Sequence, residues 1–210
     1  MAGLARGGAI IVAPVALATG GLGALWYFSG AIAAVILFLV ASALLVLTAN
    51  FFRDPDRVVG EGIVAPADGV VSIIESRGPA VLIATFMNIH DVHVNRAPED
   101  CRVRRIERIG GPRRPAYAHD ADKNNRIEYE LETPHGTIHL VQIAGIVARR
   151  ILPYVAEGAD LAKGDRLGLI RFGSRVDILI PAEGPAGRLE PRVKKGDRVK
   201  AGASTLAVYR

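Results

Sequence analysis

Residues 7 to 52 include no charged side chain. That stretch of 46 residues is more than twice the ~20 apolar residues that cross a bilayer core as one helix. A break falls at Ser29-Gly30, and Trp26, Tyr27 and Phe28 stand just before it. Amphipathic aromatics at a turn suit the membrane–water interface. The pattern therefore predicts two helices, over residues 8–28 and 31–49, forming a transmembrane hairpin. Arg6 precedes the first helix, and Arg53 and Arg57 follow the second. Cationic residues at both ends place both ends, and the chain beyond them, on the cytoplasmic side of the cell membrane. A cleaved signal peptide is the competing reading of the first run, and a second apolar run following at once argues against it. A buried pair of core helices is the other. Pro14 and the glycines near position 20 weaken the first helix.

The rest of the chain has a different character. All 21 acidic residues and 25 of the 26 Lys and Arg lie in residues 53–210, a mild excess of four positive charges. That is too little to suggest nucleic acid, and no nucleic-acid motif is present. A single cysteine, Cys101, rules out an internal disulfide.

Short apolar runs punctuated by Gly, Pro and Asp read as strands over 62–65, 69–75, 80–86, 101–109, 126–133, 136–144, 166–170, 175–181 and 205–209. The fold class expected is mainly β, a sandwich or barrel-like domain over 53–210 following the helical hairpin of 1–52. The polar, aperiodic stretch 110–125 reads as a mobile loop, and 141–155 fits either a short helix or a strand. A Lys-Gly-Asp turn occurs at Lys163-Gly164-Asp165 and again at Lys195-Gly196-Asp197. Such turns also punctuate the small β units of biotinyl and lipoyl carrier domains.

The segment Arg171-Phe172-Gly173-Ser174-Arg175 sets Gly-Ser between two apparent strands. The dipeptide alone is an ordinary turn. Its chemistry is nevertheless specific: glycine leaves its own carbonyl open to attack, and the serine hydroxyl can convert that amide to an ester. Elimination would then cut the chain, and hydrolysis would leave a pyruvoyl group at residue 174. A pyruvoyl carbonyl forms a Schiff base with an amine and accepts electrons as carbon dioxide leaves. This needs a base and a proton donor. His90 and His93 are the candidates, with Asp68 and Asp91 as orienting carboxylates. On a straight strand His90 and His93 would face opposite ways, so only a turn or bulge would gather both.

Three segments together resemble the phosphatidylserine decarboxylase family, in particular its short bacterial and archaeal-type branch: Ala65-Pro66-Ala67-Asp68-Gly69, His90-Asp91-Val92-His93-Val94-Asn95-Arg96, and Arg171-Phe172-Gly173-Ser174-Arg175. The stretch from Gln142-Ile143-Ala144-Gly145 to Ala148-Arg149-Arg150 is similar as well. The resemblance implies cleavage between Gly173 and Ser174, a β chain 1–173 that stays associated with an α chain 174–210, and self-association of the enzyme. It also implies a pyruvoyl cofactor made from Ser174, and conversion of phosphatidylserine to phosphatidylethanolamine. It points to Asp68 and a histidine, His93, in self-cleavage, and to a histidine of the same segment in decarboxylation. Two departures stand out. Long-branch members carry His-x-x-His, and Arg96 stands at the second position here. They also carry Leu-Gly-Ser-Thr, where this chain has Phe-Gly-Ser-Arg.

The other polar residues admit plainer readings. His90 and His93 lack a third ligand, so no metal is expected. His119, His135 and His139 read as structural or exposed. Arg102, Arg104, Arg105, Arg108, Arg113 and Arg114 form either a solvated face or an attraction for anionic lipid. The non-enzymatic alternative is a membrane-anchored adaptor of the carrier-domain type, which would keep an uncut chain.

Overall fold

In the computed structural model, which describes residues 3–112, 114–115, 121–145, 150–171 and 174–210, the chain divides into two compact units, residues 1–56 and 57–210.

The first unit holds strand β1 (Gly3–Leu4), helices α1 (Ala9–Ser29) and α2 (Ile32–Phe51), and strand β2 (Arg53–Asp54). Both helices are long and apolar enough to cross a membrane. Gly30 adopts a left-handed φ of 63° and its N–H closes α1 on the carbonyl of Trp26, the break expected at Ser29-Gly30. Trp26 stacks on Phe38 at 5.7 Å, joining the helices. The few hydroxyls are satisfied within their own helix: Thr19 donates to Val15 O at 2.8 Å and Ser42 to Phe38 O at 2.8 Å. An apolar environment requires that pairing. Pro14 lies inside α1 without ending it. A two-residue ladder of β1 with β2 brings the hairpin's ends together.

The second unit is built from β3 (Ile63–Val64), β4 (Gly69–Arg77), β5 (Ala80–Met87), β6 (Val94–Arg96), β7 (Cys101–Ile109), β8 (Arg126–Thr133), β9 (Gly136–Ala144), β10 (Ile151–Pro153), β11 (Asp160–Leu161), β12 (Arg166–Ile170), β13 (Ser174–Pro181), β14 (Glu183–Gly184), β15 (Gly187–Pro191), β16 (Arg198–Val199) and β17 (Thr205–Tyr209). An eight-stranded antiparallel sheet runs β11-β7-β8-β9-β13-β5-β4-β16. A three-stranded sheet, β10-β12-β6, and a four-stranded sheet, β14-β15-β17-β3, complete a sandwich-like arrangement. Residues from all three, including Leu167, Leu206, Ile83, Leu140 and Val176, share one core.

Strand β8 shows why these residues pair. Ile127, Tyr129, Leu131 and Thr133 are buried and alternate with less buried Arg126, Glu128, Glu130 and Glu132, the period-2 signature of a sheet with one face on the core. Strand β13 lies at mid-sheet and is buried on both faces. Its outward Arg175 and Asp177 satisfy each other, with Nε to Oδ1 and Nη2 to Oδ2 both at 2.8 Å. Burial still holds the Asp177 carboxyl above its ordinary value, against the pull of Arg175.

Of the stretch 110–125, the described residues 114 and 121–125 are tied to the sheet. Buried Asn124 receives the Arg114 N–H at 3.1 Å and donates to Arg114 O at 2.7 Å and Ala144 O at 2.9 Å. A short 3-10 turn, Ala121–Lys123, leads into it. The two Lys-Gly-Asp turns are built alike: Asp165 accepts from the Ala162 N–H, and Asp197 from the Lys194 N–H, both at 2.9 Å, with Gly164 and Gly196 at φ 88° and 97°. Of the undecided interval 141–155, residues 151–153 form β10, and residues 146–149 lie outside the described residues.

Candidate active site

Ser174 opens β13, opposite Met87 of β5 on one side and Ala144 of β9 on the other. Strand parity turns its side chain to the core with those of Val176 and Ile178, and it is fully buried. Its hydroxyl donates to the Met87 sulfur at 3.2 Å. A thioether is a weak acceptor, so the oxygen keeps its lone pairs for other chemistry. Gly173, the other half of the expected cleavage site, lies outside the described residues, as do Phe172 and His119.

The histidine segment turns before it pairs. Residues 88–91 form a tight turn in which Asp91 accepts the Asn88 N–H at 2.8 Å and Asn88 O accepts the Asp91 N–H at 3.0 Å. This is the Lys-Gly-Asp turn a third time, with His90 where the other two have glycine. His90 is exposed on it. His93, just beyond, is fully buried. The turn therefore separates the two histidines by burial.

The ring of His93 is oriented by main chain. Its Nδ1 lies 2.8 Å from the Asp91 carbonyl oxygen. A carbonyl only accepts, so Nδ1 carries the proton and Nε2 is the basic nitrogen of the neutral ring. The His93 carbonyl receives the Ile170 N–H at 3.3 Å, and β6 continues along β12. His93 is thereby fixed at the end of the strand that leads into the Gly-Ser segment.

Asp68 is engaged elsewhere. Its oxygens accept both terminal nitrogens of Arg57, Oδ2 at 2.7 Å, and Oδ1 also takes the Ala201 N–H at 2.8 Å. No hydrogen bond joins Asp68 to His93. The carboxylate ties the Ala-Asp-Gly turn to the start and the end of this unit. Gly69 follows it at φ 149°, where a Cβ would lie 2.1 Å from Phe86 O. Arg96 reaches away from the site, its Nη1 donating to Gly164 O at 3.0 Å.

A buried polar chain that sequence reasoning did not single out ends at the serine. The Tyr129 hydroxyl donates to Gln142 Oε1 at 2.7 Å, and Gln142 Nε2 donates to Asn95 Oδ1 at 2.6 Å. Asn95 Nδ2 points to the same Met87 sulfur at 3.8 Å. All five residues, Ser174 included, are fully buried. Burial pushes the Tyr129 hydroxyl well above its ordinary range, so it stays a neutral donor. The available signal was Gln142 and Asn95 at inward positions of apolar strands.

His135 pairs with Glu99 at 2.7 Å and stacks on Tyr209, a structural role, while His139 is exposed. Arg102, Arg104 and Arg105 pair with Asp160, Glu132 and Glu107. Among the described residues, no three His, Cys, Asp or Glu gather as a metal site.

The family model for phosphatidylserine decarboxylase matches residues 44–207. The chain belongs to the phosphatidylserine decarboxylase family. It is 44% identical to the phosphatidylserine decarboxylase proenzyme of Streptomyces avermitilis, over 74% of this chain and 71% of that one. It is 45% identical to a Halobacterium salinarum protein provisionally named archaetidylserine decarboxylase proenzyme, over 80% of this chain and 84% of that one. The Thermobifida fusca phosphatidylserine decarboxylase proenzyme is 42% identical over 74% and 70%. No solved structure matches. The match takes in the Ala-Asp-Gly turn, the histidine segment and the Gly-Ser segment alike, so the geometry above is that of a decarboxylase family member.

Proposed function

We propose that this chain is a proenzyme that cuts itself between Gly173 and Ser174 and then decarboxylates a serine-bearing phospholipid, phosphatidylserine to phosphatidylethanolamine. The observation that carries this reading is Ser174 itself: a fully buried hydroxyl, held among the described residues by a thioether, at the start of a core strand. In the proposed cut, Ser174 Oγ adds to the Gly173 carbonyl carbon and the peptide C–N bond breaks, giving an ester. Loss of the Ser174 α proton then breaks the Cβ–O bond, leaving a Gly173 carboxylate and a dehydroalanine. Water hydrolyses the dehydroalanine and releases ammonia. His93 Nε2 is the base we assign to the hydroxyl and α protons, and the Asp91 carbonyl, by accepting the Nδ1–H, fixes the tautomer whose lone pair is on Nε2.

The residues present suit a pyruvoyl group, because its parent serine is shielded from water and flanked by a neutral amide network. Such a group supplies a ketone that takes up the substrate amine and accepts the electron pair left by carbon dioxide. The chain's own part is then to orient the headgroup, exclude water and return a proton to the substrate α carbon. We assign that proton to His93 as well, since His90 is exposed. The α chain stays in place because β13 is hydrogen-bonded on both sides. The relatives' names share serine and differ in the lipid backbone, which favours recognition of the headgroup. The apolar helices and flanking Arg6, Arg53 and Arg57 favour a membrane anchor with the second unit in the cytoplasm.

Mass spectrometry of purified full-length protein tests the core of this. Wild type should show a fragment of residues 174–210 with a blocked N-terminus, and decarboxylate phosphatidylserine in mixed micelles. Ser174→Ala and His93→Gln should stay intact, whereas His90→Gln should still cut. An uncut wild-type chain with an ordinary serine at 174 would overturn the proposal and restore the anchored-adaptor reading.

A further inference from the structure

A cavity of about 280 Å³ opens between the end of β7, the start of β8 and β10. Three arginines, Arg108, Arg126 and Arg150, line it together with apolar Ile127, Ile151 and Leu152. Its size lies near the lower edge of the ~300–1,000 Å³ typical of small-molecule sites, large enough for a headgroup and too small for acyl chains.

Its charge is one-sided. Strand β7 carries four arginines, and three of them, Arg102, Arg104 and Arg105, are paired with acidic side chains. The fourth, Arg108, faces the cavity and has no acidic partner among the described residues, and the same holds for Arg150. Arg126 is held by Glu128 at 2.6 Å. No described lining residue is acidic. Two guanidiniums with open forks and a third beside them match the oxygens of a phosphate, which arginine binds in bidentate fashion.

The ladders place this cavity beside Ser174. Arg108, Ile127, Gln142 and Val176 are register partners on four consecutive strands. Val176 lies two residues beyond Ser174 and so shares its face. Ala144, the register partner of Ser174, donates its N–H to Asn125 O at 3.0 Å, and Asn125 lines the cavity. Along the chain, Arg150 O accepts the Arg171 N–H at 3.3 Å, three residues before Ser174. Strand β8, with Arg126, lies two interstrand spacings (~10 Å) from β13, and β7, with Arg108, lies three (~14 Å), a gap that an extended headgroup and an arginine side chain can bridge together.

We propose that the cavity of Arg108, Arg126 and Arg150 is the phosphate subsite of this enzyme: it holds the phosphodiester of an aminophospholipid while the amine reaches residue 174. The inference rests on the decarboxylase reading above and extends it to substrate binding. Substrate and product carry the same phosphodiester, so the site binds both alike. Its loss raises KM and leaves kcat nearly unchanged.

The test uses the full chain in mixed micelles with Arg108→Gln/Arg150→Gln. The fragment 174–210 should still form, since the subsite acts only on lipid. KM for phosphatidylserine should rise at least about tenfold, the least expected from losing two charge-assisted contacts, with kcat within about twofold. Soluble glycerophosphoethanolamine should compete with lipid in wild type and lose that competition in the variant. Unchanged KM in a variant that cuts normally overturns the proposal. So does an equal rise in the exposed-charge control Lys194→Gln/Lys195→Gln, which would mean bulk surface charge. Inorganic phosphate competing as well as glycerophosphoethanolamine would make this a free-phosphate site and also overturn it. Should the double variant fail to cut, Arg108→Lys/Arg150→Lys keeps the charge and loses the fork; KM should still rise, and no rise overturns the proposal. A wild type that does not cut or decarboxylate refutes the decarboxylase reading instead, which keeps the two failures apart.

Discussion

Truncating Arg57 to alanine isolates the anchoring role of Asp68. The two side chains are nine-tenths buried, at 11% and 10% exposure, and their contact is two-pronged. Breaking a buried pair by removing one partner costs about 3–5 kcal/mol, because a charge is left behind without compensation. The Ala201 N–H still serves Oδ1, so the lower end, about 3 kcal/mol, is expected. For a unit of this size that corresponds to a fall in Tm of about 6–12 °C. The assay is thermal unfolding of the full chain in detergent, followed by the β-sheet circular dichroism signal. Asp68→Ala in the Arg57→Ala background should add little, giving a coupling of about 2 kcal/mol or more in a double-mutant cycle. A Tm drop under about 2 °C, or a coupling within about 0.5 kcal/mol of zero, would show that the ion pair does not anchor this turn. Fragment formation measured well below the Tm then asks whether Asp68 also serves the chemistry. If it only anchors, Asp68→Asn should still cut at low temperature.

Tyr129→Phe strands the Gln142 carbonyl oxygen without a donor and should cost about 1–3 kcal/mol, read as a lower Tm with no change in the length of the fragment formed. Cys101 is buried among Glu99, Asp100, Asp165 and Asp160, and burial first, then those charges, push its thiol up to about 12 from an ordinary 9.0. Its thiolate fraction at pH 8 is then lower by about a thousandfold, so iodoacetamide should label it only after denaturation. Gly69→Ala forces a methyl against Phe86 O at a left-handed φ, and it should yield insoluble or uncut protein. Native alkylation of Cys101 at the rate of the denatured chain, or a soluble, normally cut Gly69→Ala, would count against the packing described.

The strands of the large sheet were legible because alternation is a local signal. In β8 and the first half of β9 the apolar residues fall on one face, and the expected spans 126–133 and 136–144 coincide with those found. β3 falls within the strand expected over 62–65, whereas the two-residue strands β11, β14 and β16 carry too few side chains for any period, and β6 hides in a segment whose polar residues are inward-facing. Ser174 was placed one residue short of its strand because glycine and serine read as turn. At the site, residue types offered His90 and His93 alike, and the family resemblance pointed to Ser174, His93 and Asp68. That His93 leans on the Asp91 main chain, that Asp68 turns to Arg57, and that His90 is exposed all follow from the 88–91 turn and from contacts between distant segments, which no local pattern encodes. Gln142 and Asn95 are pairing partners 47 residues apart, invisible until their strands are packed.

The position of residue 174 on an interior strand bears on when this protein can be made. Its hydroxyl acquires its surroundings only after β5 and β9 have closed around β13, so in the proposed self-cleavage assembly would come before scission. If the bond is cut as proposed, the two pieces would no longer share a covalent tether, and the loop-closure advantage that brought β13 between its neighbours would be lost. A mature molecule that is melted should therefore not regain its shape on cooling, whereas an uncut Ser174→Ala chain should. On the proposed reading the active protein would be a one-way product of its own folding, with a lifetime set by how slowly it opens rather than by how well it could form again.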